Sequence, residues 1–355
     1  MNEFIVPRLE KLDSQPEVQA LLAGLLKAGT VKTFLWTGPL GSGKKTHALA
    51  LVRTLFCQGG PDCAGCIPCR QVLGKTHPDF FWIQKGFFWN EKKDEGKSRV
   101  IPIDVVRKLL EKLYQAPLSA PLKVAIIPNA DTMTPEAQEA FLKTLEEPPR
   151  KSLILLLSEK KEDFLPTVLS RCRPVRFGPL STAKVECLLS QVYGWNAAKA
   201  NQAAENCDGN LSLALKFADE IWVAFTKKVR TDFDGALEGN EGVWLRLGTE
   251  YDKMEPDFLE EELTASQRKA EVLRLALQTY LSIWSRRLAA REPIPPKLDV
   301  LAPSQVLRCL RMHLDLIPSH VPPKMILDHL FLNLRRGLET GEVSNESFTQ
   351  LAVEI

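Results

Sequence analysis

The period of apolar positions changes several times along this chain, and the changes mark out its elements. Between residues 6 and 27 the apolar positions Leu9, Leu12, Val18, Leu21, Leu22, Leu25 and Leu26 recur at helical spacing. Residues 33–37, Thr-Phe-Leu-Trp-Thr, are β-branched or aromatic and predict a buried strand. Glycines follow, and residues 47–56 then carry an apolar helical pattern. Residues 79–84 read as a strand. The polar, charged and aromatic stretch 86–98 reads as an exposed excursion. A helix is predicted over 103–114, with Val105, Val106, Leu109, Leu110 and Leu113 on one side and Arg107 on the other, solvated. Strand 123–127, helix 135–147 and strand 152–157, closed by Ser158, come next. Residues 165–169 lead into Ser170-Arg171-Cys172-Arg173, and residues 176–177 form a last short strand. Strands alternating with helices from 35 to 177 imply a parallel sheet covered on both faces.

Strand signals stop at Ser181. Ser181 and Thr182 suit the cap of a helix to about residue 193, and Asn196 suits the cap of a second. Gly209-Asn210 breaks the chain before a third helix, 211–227, completing a three-helix unit. The glycines between 235 and 248 read as a linker. Beyond them Leu273, Leu277, Tyr280, Trp284 and Leu288 recur at helical spacing, as do Leu307, Leu310 and Leu314, then Ile326, Leu330 and Leu334. Pro295-Pro296 and Pro322-Pro323 separate these helices, and Arg286, Arg287 and Arg291 form a solvated face. The expected domains are 1–178, 179–240 and 241–355.

The first strand, the glycine stretch and the helix after it place Gly38-Pro39-Leu40-Gly41-Ser42-Gly43-Lys44-Lys45-Thr46 where a phosphate-binding loop belongs. The glycines Gly38, Gly41 and Gly43 let backbone approach an anion. The N–H groups of the loop and helix start then point at it, and Lys44 adds a full charge. One position departs from Gly-x-x-x-x-Gly-Lys followed by Ser or Thr. The last residue of that pattern supplies a hydroxyl to Mg²⁺, and here it is Lys45, with Thr46 one place late. An ammonium does not ligate a cation. In a hydrolysing P-loop ATPase the strand at 123–127 would end in an acidic pair serving Mg²⁺ and water, but Pro128 and Asn129 stand there. Asp131 reads as a turn or cap residue.

With 355 residues the chain is long enough for two or three domains. Its formal net charge of +2 gives no global field that would argue for nucleic acid. No signal-peptide pattern occurs in residues 1–14, and no apolar run exceeds the length of 153–157, far too short to cross a bilayer. These features predict a cytoplasmic chain with reduced thiols and no membrane partner. Of its eight cysteines, Cys57, Cys63, Cys66 and Cys69 cluster as Cys-x₅-Cys-x₂-Cys-x₂-Cys. Four thiolates at this spacing match a closed, structural tetrahedral Zn²⁺ site with no position left for a catalytic water. Four unligated cysteines or a redox pair is the blander alternative. His77 is read as bonded within its own turn, Thr76-His77-Pro78-Asp79, rather than as a ligand.

In order, the chain thus carries residues 38–46, the cysteine cluster, Thr-His-Pro-Asp at 76–79, Lys-Val-Ala-Ile-Ile at 123–127, Leu-Lys-Thr-Leu-Glu-Glu-Pro-Pro at 142–149 and Ser-Arg-Cys at 170–172. This succession resembles the bacterial DNA polymerase III clamp-loader ATPase family, closely over about residues 15–215 and only in kind beyond. The resemblance implies an AAA+ P-loop α/β domain, a three-helix lid and an all-α C-terminal collar. Within that family the gamma/tau subunit hydrolyses ATP, and a delta-prime subunit with a decayed site acts as a stator. Three departures align this chain with the stator: Lys45 in place of the Mg²⁺ hydroxyl, Pro128-Asn129 in place of the acidic pair, and Ser212 in place of the motor's sensor arginine. Lys44 and the glycines remain, so ATP or ADP binding stays open. The resemblance also implies that Arg171 acts in trans, as an arginine finger in a neighbouring subunit's ATP site. The implied partners are gamma/tau and delta subunits, the sliding clamp and primed DNA, within the polymerase III holoenzyme. An autonomous ATPase motor and a zinc-centred nucleic-acid-binding module are the rival readings.

Overall fold

In the computed structural model, helix α1 (Pro16–Ala28) precedes strand β1 (Thr33–Thr37), and α2 (Lys44–Phe56) follows the glycine loop. Then come α3 (Ile67–Leu73), β2 (Phe80–Trp82), α4 (Ile103–Tyr114), β3 (Lys123–Pro128), a 3₁₀ turn (Ala130–Thr132), α5 (Pro135–Glu146), β4 (Ser152–Ser158), α6 (Pro166–Leu169) and β5 (Arg173–Arg176). The further elements among the described residues are all helices: α7 (Thr182–Gln191), α8 (Ala197–Glu205), α9 (Leu211–Lys216), α10 (Glu220–Leu237), α11 (Val243–Asp252), α12 (Ala265–Leu288), α13 (Pro303–Leu316) and α14 (Pro323–Thr340). The structure describes residues 9, 12, 15–28, 33–60, 63, 65–84, 100–238, 243–254, 265–288, 301–317, 321–341 and 343. The expected excursion at 86–98, Arg291 and Pro295-Pro296 lie outside the described residues, as do the side chains of Arg286 and Arg287.

The chain divides into two units: Met1–Leu188 with Gly209–Ser212, and Leu189–Asp208 with Leu213–Ile355. In the first, the strands run in the order β2-β3-β4-β1-β5, all parallel. Successive side chains on a strand point to opposite faces. Accordingly Phe34 and Trp36 pack with Leu22, Leu51, Val52 and Phe56, while Leu35 packs with Val106, Leu109, Phe141 and Leu145. Both faces are therefore covered. This is why β3 and β4, buried along their whole length, read as unbroken apolar runs.

Strand β5 corrects the expectation of 176–177. It starts three residues earlier and pairs Arg173–Arg176 with Phe34–Thr37 of β1. At the sheet edge only Val175 of its four residues is buried, so the sequence carries no apolar run there. An edge position also tolerates Pro174. Pairing continues into Phe177, whose N–H donates to the Thr37 carbonyl at 2.8 Å.

The helix expected at 211–227 is two helices, α9 and α10. Asp219 starts the second by accepting the Ile221 N–H at 2.8 Å. The linker expected at 235–248 is also overturned, since α10 runs through Gly235 and α11 begins at Val243. Gly248 marks a close helix contact rather than a break. A Cβ there would lie 2.7 Å from Asp328 Oδ1 and 3.0 Å from Lys324 Cγ on α14. The predicted stripes do form the core of this unit: Leu273, Leu277, Tyr280, Trp284, Leu310, Ile326, Leu330 and Leu334 are buried, while Leu288 is 53% exposed.

Helices α13 and α14 meet through a buried histidine pair. His313 Nδ1 lies 2.8 Å from the Cys309 carbonyl and so carries the proton. Its Nε2 accepts from His329 Nδ1 at 2.8 Å. Burial holds His313 down to about 4 and lowers His329 as well. The folded chain thus binds fewer protons than the unfolded chain, whose histidines titrate near 6.5. The stability contributed is complete above that value and is lost as pH falls toward 4. His313 alone should cost about 2 kcal/mol at about pH 5 relative to about pH 7.5. Urea unfolding at the two pH values measures this. A drop of the same size in His313→Leu would place the effect elsewhere, because His47 and His77 are also lowered by burial.

Candidate functional site

The sheet order and register assemble the phosphate-loop region. Thr37 lies beside Ser158, and Pro128 beside Leu157, so β1, β4 and β3 end level with one another. Their following residues therefore share one edge, the carboxyl end of a parallel sheet, where ligands of such folds bind. Gly38, Gly41 and Gly43 lie in the loop after β1. Gly41 and Gly43 have φ of +69° and +89°, a backbone conformation that favours glycine. Helix α2 begins at Lys44, three residues before the predicted start. Lys44, Lys45 and Thr46 thus form its first turn, which holds no acidic residue.

Lys44 is buried, and its ammonium is bonded to its own loop. Nζ donates to the Gly38 carbonyl at 2.6 Å, to the Pro39 carbonyl at 2.8 Å and to Ser42 Oγ at 3.4 Å. Burial lowers its pKa to about 8, opposed by the carboxylates of Glu159 and Asp131 and reinforced by Lys45. Asp131 lies in the 3₁₀ turn after β3, as its reading as a turn residue anticipated, and its Oδ1 is buried without a hydrogen-bond partner. Glu159 was missed in the sequence. It is the first residue after β4, and only the placement of β4 beside β1 brings it to Lys44. Asn210 also approaches the loop: a Cβ on Gly41 would meet Asn210 Oδ1 at 2.0 Å.

The fit to Mg²⁺ is poor. Lys45 occupies the hydroxyl position and is exposed. β3 ends at Pro128, and Asn129 follows in a left-handed conformation with φ of +57°. Neither residue offers the carboxylate that a hydrolysing site needs there.

The cysteine cluster forms as its spacing predicts. The Sγ atoms of Cys57, Cys63, Cys66 and Cys69 all lie within 4.8 Å of one another, with Cys63 and Cys69 at 4.0 Å, and none is in a disulfide. Metal–thiolate bonds of about 2.3 Å in a tetrahedron put sulfurs about 3.8 Å apart, so this donor set fits a four-thiolate metal. Buried Arg53 braces it, donating from Nη2 to the Cys63 carbonyl at 2.9 Å. Gly59 leaves the space, since a Cβ there would lie 2.8 Å from Cys63 Sγ. The Cys66 N–H donates to Cys63 Sγ at 3.2 Å and helps to lower that thiol to about 6, whereas burial raises Cys69 to about 12. His77 stands apart as expected, its Nδ1 accepting the Asp79 N–H at 3.1 Å.

Arg171 follows α6 and joins the two most specific motifs of the chain. Its Nε donates to Glu146 Oε1 at 2.7 Å. Its Nη1 donates to the Thr167 carbonyl at 2.8 Å and to Ser170 Oγ at 3.1 Å. Glu146 belongs to the 142–149 stretch and ends α5. The Arg171 side chain remains 33% exposed.

A five-stranded parallel sheet in this order, with a glycine loop leading from β1 into α2 and helices on both faces, is the arrangement of a P-loop α/β module. Residues 14–181 match the family model described as "DNA polymerase III, delta subunit". The delta' subunit of DNA polymerase III from Bacillus subtilis is 31% identical over 180 residues, 50% of this chain and 51% of that protein. The delta' subunit of Yersinia pestis is 37% identical over 135 residues, 37% of each chain. The gamma subunit of Buchnera aphidicola is 29% identical over 171 residues, 47% of this chain and 44% of that one. Over residues 14–181 the chain is thus similar to the subunits of the DNA polymerase III clamp loader. It spans about half or less of the length of these relatives. A solved gamma-subunit-related protein of Thermotoga maritima covers 90% of this chain and 99% of its own, at 17% identity and a TM-score of 0.45. No helix among the described residues is long and apolar enough to cross a membrane.

Proposed function

We propose that this chain is a non-hydrolysing, delta-prime-type subunit of a replicative clamp loader, and that it helps place the sliding clamp on primed DNA. The observation that carries the reading is the phosphate loop. Its Mg²⁺-hydroxyl position is an exposed lysine, and the neighbouring strand ends in Pro128-Asn129 where the acidic pair would stand. Positioning and charge neutralisation supply nearly all of phosphoryl-transfer catalysis, so losing these groups removes the motor's function while leaving the fold. The helices after Thr182 then serve as lid and collar, joining the chain to gamma/tau and delta subunits in the cytoplasm. Cys57, Cys63, Cys66 and Cys69 hold a structural Zn²⁺. Arg171 is supplied in trans to a neighbouring ATP site.

Purified chain with ATP and Mg²⁺ is expected to show no turnover above a Lys44→Ala control. Turnover abolished by Lys44→Ala would establish the second reading, an active motor. That reading is favoured by the retained Lys44 and glycines, by the two carboxylates Asp131 and Glu159 facing Lys44, and by relatives named gamma and gamma/tau. A zinc-centred nucleic-acid module is disfavoured by the net charge of +2. Salt-dependent DNA binding by the chain alone would support it.

A further inference from the structure

The loop's poor fit to Mg²⁺ has a positive side. A divalent cation neutralises charge on a polyphosphate, and here the residue at the sequence position that would anchor it is itself a cation, Lys45. We propose that the loop binds a diphosphate group, carried by a nucleotide or free, without a divalent metal, and that the Lys45 ammonium takes over the metal's electrostatic share. This rests on the non-hydrolysing reading above and names the ionic form of the ligand that the same site takes.

Four observations converge on it. The first turn of α2 carries two adjacent lysines and no acid, at the positive end of a thirteen-residue helix. Gly41 and Gly43, both at positive φ, turn the loop as an anion-binding nest requires. Lys45 is exposed, so its side chain lies at the solvent side of the same turn, where an arriving anion would meet it. It already lies close enough to Lys44 to lower that group's proton affinity, which places two positive charges at one loop.

The nearby carboxylates do not restore a metal site. Asp131 and Glu159 both act on the Lys44 ammonium, so they serve as its counter-charge. A metal would have to share them with that lysine without the hydroxyl that normally anchors it. An incoming diphosphate, by contrast, offers Lys44 Nζ acceptors in place of the Gly38 and Pro39 carbonyls it now holds. Charge-assisted bonds to phosphate oxygens are about twice as strong as those to neutral carbonyls, so the exchange favours the ligand. Free Mg²⁺ would compete with the two lysines for the same oxygens.

The test is calorimetric titration of the full chain with ADP and with inorganic diphosphate, in excess Mg²⁺ and in excess EDTA. The expected result is affinity that is equal or tighter in EDTA, and loss of binding by roughly tenfold or more in Lys44→Ala. Lys45→Thr, which restores the usual hydroxyl, should reverse the preference and bind more tightly with Mg²⁺. Binding of inorganic diphosphate as tight as that of ADP would identify the phosphates alone as the determinant. A preference for ADP would add the nucleoside. Either supports the proposal. Affinity that falls roughly tenfold in EDTA overturns it, as does absence of binding in both media. Metal-dependent binding without turnover would sink this inference alone, whereas turnover by the chain itself would sink the non-hydrolysing reading.

Discussion

On the proposed role of Arg171 in trans, replacing it with alanine should slow ATP turnover by about 10³-fold or more at the neighbouring subunit's site in a reconstituted clamp loader. The guanidinium is planar, permanently charged and forked, so it can bond two oxygens of a transferring phosphoryl group at once. In this chain the side chain is one-third exposed and carries an ion pair to Glu146 that is itself half exposed. Such a pair is worth roughly 0.2–1 kcal/mol, so exchanging it for a polyphosphate costs little. Glu146→Gln is therefore expected to reduce turnover far less than Arg171→Ala, because the bonds to Thr167 and Ser170 remain. Arg171→Lys should not rescue, since an ammonium is a single point charge. Folding is not at risk, as exposed substitutions of this kind usually stay within about 0.5 kcal/mol. Steady-state turnover of the reconstituted complex with DNA decides the matter. A rate unchanged by Arg171→Ala would leave Arg171 as a structural bridge between α5 and α6.

The second large effect concerns the cysteine cluster. On the proposed structural zinc, withdrawing the metal with a strong chelator, or substituting Cys69 by serine, should lower thermal stability by about 3 kcal/mol or more, because structural zinc sites contribute folding energy directly. For a unit of this size that corresponds to roughly 6–12 °C in Tm. The cause is local. Cys57 caps α2, Cys66 precedes α3 and Cys69 lies within it, fully buried. Without a metal the thiolates no longer tie the two helices through a common atom, and the buried Arg53 loses a fixed partner surface. Metal content by elemental analysis should fall in step with Tm. Loss of metal with an unchanged melting curve would remove the structural role.

Much of the first unit was legible because its elements have one dominant period each. Residues 33–37 and 152–158 are buried on both faces, so they read as apolar runs. The helix over 103–114 is amphipathic and falls where expected. Asn196 and Ser181 cap as read, accepting the Lys199 and Lys184 N–H groups. Where readings failed, the local signal was contradicted by position. β5 has almost no apolar residue because it is an edge strand. Gly248 and Gly235 looked like a linker, yet they lie inside helices. Gly248 serves a close approach to α14, a function that glycine in a sequence does not distinguish from flexibility.

The sequence alone determined which chemical groups this protein has for its site. It carries four thiols at metal-ligand spacing, a phosphate loop with lysine in the hydroxyl position, a strand ending in Pro128-Asn129, and an arginine between Ser170 and Cys172. These are covalent facts, set by spacing of a few residues and independent of the rest of the fold. Only the tertiary structure decided what those groups face. The order β3-β4-β1 brings Asp131 and Glu159 to Lys44 across 87 and 115 residues of chain, taking 131 − 44 and 159 − 44. It likewise sets Asn210 against Gly41, and the packing of α5 beside α6 gives Arg171 its carboxylate. Such contacts depend on strand order and register, which the whole buried sheet determines together and no local pattern of residues encodes.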